Sequence, residues 1–112
     1  MHDLVTEDLQ RAYPDNLTVP LIAADLAARK ALGIERYDLP LQAHNGRDGL
    51  RDLYEELEDA SVYTKQMVIE FTDAGLPVFD LEVVYTRLLR SLMTVRELVA
   101  ARQAGIEGMP GA

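Results

Sequence analysis

The sequence predicts an all-α protein: an antiparallel helical bundle of three main helices behind a short N-terminal helix, assembled as an oligomer. Three observations predict it. Leu50, Leu53, Leu57, Ala60, Thr64, Met67 and Phe71 recur at alternating steps of three and four, which makes one apolar seam on a helix. Leu81, Tyr85, Leu88, Leu92, Val95 and Val99 repeat the pattern further on, after the break made by Gly75 and Pro77. No stretch shows the strict alternation of a half-buried strand. Helices of this kind joined by short turns pack side by side.

Taken in order, residues 2–12 form a weakly amphipathic helix through Leu4, Val5, Leu9 and Ala12, stopped by Pro14. His2 reads there as a solvated terminal residue. Residues 18–32 are Ala-rich and strongly helical, with Thr18 as N-cap and Pro20 tolerated in the first turn. Gly33 suits the left-handed position that closes a helix, which places Arg29 and Lys30 in the last turn, at the negative end of the macrodipole. A sharper account has one of the two reaching a ligand phosphate. Residues 34–47 then make a loop of functional length, pinned by Tyr37, Leu39 and Leu41 and ending in a His44-Asn45-Gly46 turn.

The central helix spans 48–74, capped by Asn45 or Asp48, and the last main helix runs over 79–103. Arg47 and Arg51 fall near the start of the central helix, where the macrodipole disfavours cations. A bound anion or the nearby acids account for them, as does simple solvation with Arg51 paired to Glu55. On the last helix Val84, Leu89 and Met93 widen the apolar surface beyond one stripe, which points to a homo-oligomer. Arg87, Arg90 and Arg96 read as solubility charges. The tail, 104–112, is expected to fray.

The totals bound what such a fold does. The chain has 112 residues, 48% of them hydrophobic and 27% charged, which suits one soluble domain. Its formal net charge of −8 makes duplex nucleic acid and anionic membranes poor partners. Without cysteine it has neither a disulfide nor a thiolate nucleophile, and two histidines are too few for a His-rich metal centre. No basic leader and no long apolar run is present, so the expected location is the cytoplasm.

The acids of the central helix carry the candidate chemistry. Asp52, Glu56, Asp59 and Tyr63 follow one another at helical spacing on a stripe about 110° round from the apolar seam. A hard cation such as Mg²⁺ takes oxygen ligands, so Glu56 and Asp59, with Asp52 one turn earlier, are candidate metal ligands. Tyr63 is placed to hydrogen-bond a ligand. Mutual repulsion makes three neighbouring carboxylates costly without a cation. An acid-rich solvated face, neutralised by Lys65 and the arginines, is the other reading of the same residues.

The run Y-E-E-L-E-D-A-S-V-Y, residues 54–63, resembles the second carboxylate motif of the all-α NTP pyrophosphohydrolases, the MazG-like family. The wider pattern, from Arg29-Lys30-Ala31-Leu32-Gly33 through Arg36-Tyr37 and Asn45-Gly46-Arg47-Asp48 to Tyr63, is similar to small phage-encoded helical proteins. The resemblance implies a Mg²⁺-dependent enzyme that cleaves a nucleoside triphosphate to a monophosphate and pyrophosphate. It implies Glu56 and Asp59 as metal ligands, with Glu55 as a helper or base. Lys30, Arg47 or Arg51 would then steady the phosphates. The chain departs from that family in the preceding helix, where an E-E-x-x-E is replaced by the single acid Asp25. The alternative is a non-catalytic helical oligomer that binds a host protein or sequesters a nucleotide.

Overall fold

The computed structural model describes residues 1–105, which form four α-helices: α1 (His2–Ala12), α2 (Val19–Tyr37), α3 (Gly49–Asp73) and α4 (Phe79–Ala104). The frayed tail expected over 104–112 lies beyond the described residues from 106 on, and Ala104 itself closes α4. Among the described residues no helix is long and apolar enough to cross a membrane. The chain divides into two compact units, Met1–Arg47 and a second that begins at Asp48. In the first, α1 packs on α2; in the second, α3 packs on α4.

In the first unit α2 does not stop at Gly33. It continues to Tyr37, and Asp38 takes the left-handed position that ends it, with φ 62° and its N–H on the Ile34 carbonyl. A helical glycine costs about 1 kcal/mol relative to alanine, too little to stop a helix whose next four residues still propagate. The connecting loop therefore begins at 38 rather than 34. The face of α1 turned inward is also not the expected one. His2, Thr6 and Leu9 are half-buried, whereas Leu4 and Val5 stay exposed. Two contacts tie the start of α1 down: Lys30 Nζ donates to Asp3 Oδ2 at 2.8 Å, and the Met1 nitrogen donates to the Leu41 carbonyl at 3.2 Å.

In the second unit Asp48 is the N-cap of α3, its side chain accepting from the Arg51 N–H at 3.2 Å. The same carboxylate takes both of its oxygens to Arg102 Nη2, each at 2.8 Å. The first residue of the unit is thus clasped to the last turn of α4. Between these ends Arg96 lies over the Tyr54 ring and Lys65 over the Tyr85 ring. Gly75 closes α3 with φ 71°, the Leu76 N–H reaching back to the Phe71 carbonyl in a Schellman arrangement.

The α4 seam is the one its spacing predicts: Val95 and Val99 are buried, and Leu81, Tyr85, Leu88 and Leu92 half-buried. The α3 seam is displaced. Leu53 and Met67 are exposed, and Tyr54, Ser61 and Val68 take their places beside Leu50, Leu57, Thr64 and Phe71. Among the described residues only Val19, Ser61, Val95 and Val99 are buried. Ser61 meets the cost of burial by donating to the Leu57 carbonyl at 2.8 Å.

Two glycines separate backbone from packing effects. A Cβ at Gly33 meets nothing within 4 Å and the residue is helical, so Gly33→Ala is expected to stabilise the protein by about 1 kcal/mol. A Cβ at Gly75 also meets nothing within 4 Å, but the left-handed φ makes Gly75→Ala destabilising by about 1 kcal/mol. Denaturant melts of the two variants should move in opposite directions.

The clasp gives a pH signature. The hydrogen bond from Arg102, then that from the Arg51 N–H, holds the Asp48 carboxyl below its ordinary value of 3.8. A group lowered on folding stabilises the fold above its unfolded value and ceases to do so as pH falls through its folded value. Asp48→Asn keeps a good capping residue and removes the charge. Its melting temperature should lie below wild type at neutral pH, and the gap should close as pH falls through the lowered folded value and Asp48 itself is protonated.

Candidate ligand-binding cavity

Extension of α2 past Gly33 brings Arg29, Lys30, Gly33, Arg36 and Tyr37 onto one face, spaced by three, four or seven residues. The loop from 38 to 47 turns back beside them. Asp38, His44 and Gly46 all have positive φ, and the Asn45 side chain accepts from the Arg47 N–H at 3.0 Å. Between the α2 face and the loop lies a cavity of about 730 Å³, within the range of roughly 300–1,000 Å³ typical of small-molecule sites.

Its lining has one sign. Arg29, Lys30, Arg36 and Arg47 contribute four cationic side chains, with His2 and His44 beside them, and among the described residues no carboxylate lines the space. The Leu32, Leu39, Pro40 and Leu41 side chains supply apolar wall, and Tyr37 adds a largely exposed ring. Lys30 carries Asp3 as its ion-pair partner, and the hydrogen bond from Lys30 holds the Asp3 carboxyl below its ordinary value. Arg29 and Arg36 pair with no carboxylate among the described residues. His2 is half-buried rather than solvated, and its Nδ1 is buried with no hydrogen-bond partner among the described residues. A polar atom in that state costs free energy that a ligand could recover.

The expected phosphate-binding residues divide accordingly. Lys30 and Arg47 line the cavity; Arg51 does not and belongs to the first turn of α3. Arg29 and Lys30 are mid-helix, so the macrodipole no longer accounts for them; Arg36 occupies the last turn instead. Sequence reading missed Arg36, Tyr37 and the two histidines as lining residues. The signal was present in the spacing of 29, 33, 36 and 37, and became visible only with α2 carried to its full length.

The acids of α3 present a different picture. Glu55, Glu56 and Asp59 are exposed, Asp52 is half-buried, and Tyr63 is 65% exposed. Among the described residues no three acids or histidines gather closely enough to hold a metal ion, so Asp52, Glu56 and Asp59 are not drawn together. Successive turns of the helix carry these carboxylates along one flank of its surface. No family model matches the chain, and no curated protein or solved structure matches it either.

Proposed function

We propose that the protein binds a small phosphorylated ligand, a nucleoside phosphate by preference, in the cationic cavity of its first unit. The observation that carries this reading is the lining: four cationic side chains and, among the described residues, no carboxylate around one cavity, in a chain whose net charge is −8. Asp3 balances Lys30, so it is the charge of Arg29 and Arg36 that a multivalent anion would neutralise. Guanidinium forks match phosphate oxygens in geometry as well as charge, and three of the four cations are arginines. Tyr37 offers a ring face on which a base can stack, and His2 lies in the wall of the same space. The function is then capture of a nucleotide rather than its conversion. Calorimetric titration with inorganic phosphate and with nucleoside mono-, di- and triphosphates tests it. Affinity that rises with phosphate number supports the reading; absence of binding by every one of them overturns it.

The resemblance at residues 54–63 favours a second reading, a MazG-like, Mg²⁺-dependent pyrophosphohydrolase of phage origin acting in the host cytoplasm. Glu56 and Asp59 are exposed and roughly one turn apart on α3, which leaves them open to a hydrated cation together with Asp52, and Glu55 to act as base. In this reading the helices make an antiparallel bundle that assembles as a homo-oligomer, or that docks on a host protein. Pyrophosphate release from nucleoside triphosphates in Mg²⁺, lost in Glu56→Gln and Asp59→Asn while the fold holds, would establish it. Binding without release would leave nucleotide capture as the function.

A further inference from the structure

We propose that the second unit pairs with a second copy of itself across the face that carries Leu53, Ala60 and Met67 on α3 and Val84, Ser91 and Leu98 on α4. The proposal uses no part of the ligand reading. It starts from the core, which in this unit consists of Ser61, Val95 and Val99 as the only buried side chains among the described residues. Two helices of 25 and 26 residues expose too much apolar surface to be satisfied by so little.

The three contacts between the helices define a register: 48 meets 102, 54 meets 96, and 65 meets 85, so each step up α3 is a step down α4. To within one residue, the same register sets Leu53 level with Leu98, Ala60 with Ser91, and Met67 with Val84. Both triplets are spaced by seven, and on each helix they lie on the side away from the cation–π pairs. That side is apolar along its middle and ends, beside Leu98, at the Arg102–Asp48 ion pair. Leu53 and Leu98 are each 47% exposed, Val84 44% and Met67 37%. Large residues stand at both ends of the strip and small ones at its middle, which lets a second backbone approach there. The opposite side also exposes Val62, Ile69, Leu89 and Met93, but the Arg96–Tyr54 and Lys65–Tyr85 contacts interrupt it at two of its levels.

Net charge favours a second copy in one orientation. Beyond the strip, the α3 edge is acidic, with Glu56, Asp59 and Glu70, and the α4 edge carries Arg87 and Arg90 beside Asp80. A two-fold axis parallel to the helices lays α3 over the partner's α4, so Asp59 meets the partner's Arg90 while Glu70 faces the partner's Asp80, and each contact occurs twice. The other face-to-face arrangement sets acids on acids. An α4 about 39 Å long beside a neighbour, each roughly 10 Å across, offers about 800 Å² per copy, the size of a standard stable interface. The acid stripe on α3 then has a task that needs no metal.

Sedimentation equilibrium of the full chain over a range of concentrations tests this. Wild type is expected to be a dimer, and Leu53→Glu a monomer with its helical circular dichroism retained. Asp59→Arg and Arg90→Glu should each weaken association about tenfold, and the double variant D59R/R90E should restore it. Val62→Glu, on the opposite side, should leave the mass unchanged. A wild-type monomer at every concentration, failure of the charge swap to restore association, or dissociation by Val62→Glu in place of Leu53→Glu would each overturn the proposal.

Discussion

Protein carrying Arg29→Ala together with Arg36→Ala is expected to lose at least about a hundredfold in affinity for a nucleoside triphosphate. Hydrogen bonds to charged groups contribute about 1.5–3 kcal/mol each, and every 1.4 kcal/mol is a tenfold change, so two lost contacts set that floor. Both residues lie on α2, where alanine is the best helix former, and neither pairs with a carboxylate among the described residues. Helicity should therefore be unchanged, and the loss should appear in a binding isotherm rather than a melt. Asp3→Asn should act in the other direction. It removes the carboxylate now held 2.8 Å from Lys30, and affinity should rise a few-fold at low salt. If the double variant binds as wild type does, the cavity is not the site.

Val99→Ala is expected to be the most destabilising single truncation in the second unit. Val99 is 1% exposed and is the one fully buried side chain of any size among the described residues. Removing its methyl groups costs about 2 kcal/mol from lost burial and the cavity left behind. For a domain of this size that lowers the melting temperature by roughly 10 °C. The comparison that gives the number meaning is Leu98→Ala, one residue earlier and 47% exposed. Truncation there should change the unfolding midpoint little at concentrations where the chain is monomeric. Thermal melts of the two variants at low protein concentration check both statements.

The helices were legible in the sequence because capping and periodicity are local. Asp48 before an apolar run, Gly75 and Pro77 after it, and the heptad spacing of α4 each carry their own structural consequence. What was not legible depended on a partner surface. An α3 with leucine at 50, 53 and 57 has two overlapping stripes, and only α4 decides that Tyr54, Ser61 and Val68 turn inward while Leu53 and Met67 turn out. The choice between Leu4 and His2 on α1 is of the same kind. The cavity was hidden by a single residue: reading Gly33 as a stop severs Arg36 and Tyr37 from the face of Arg29, although the helix runs through it. The acid stripe of Glu56 and Asp59 was legible for the same local reason as the caps: its spacing sets both on one exposed flank of α3.

The clasp between Asp48 and Arg102 also has a consequence for the order in which the second unit assembles. Its contacts nest around the connection at residues 75–78: Lys65 with Tyr85 is nearest that connection, Tyr54 with Arg96 is farther out, and Asp48 with Arg102 is outermost. Closing a short loop costs less entropy than closing a long one, so pairing starts at the Gly75 bend and zips outward. The outermost contact forms after the rate-limiting step, which means that weakening it raises the rate of unfolding and leaves refolding unchanged. Gly75→Ala, at the origin of the zipper, should do the opposite and slow refolding. The two ends of one nested set of contacts thus govern different halves of the kinetics: the bend sets how fast the unit forms, and the clasp sets how long it lasts.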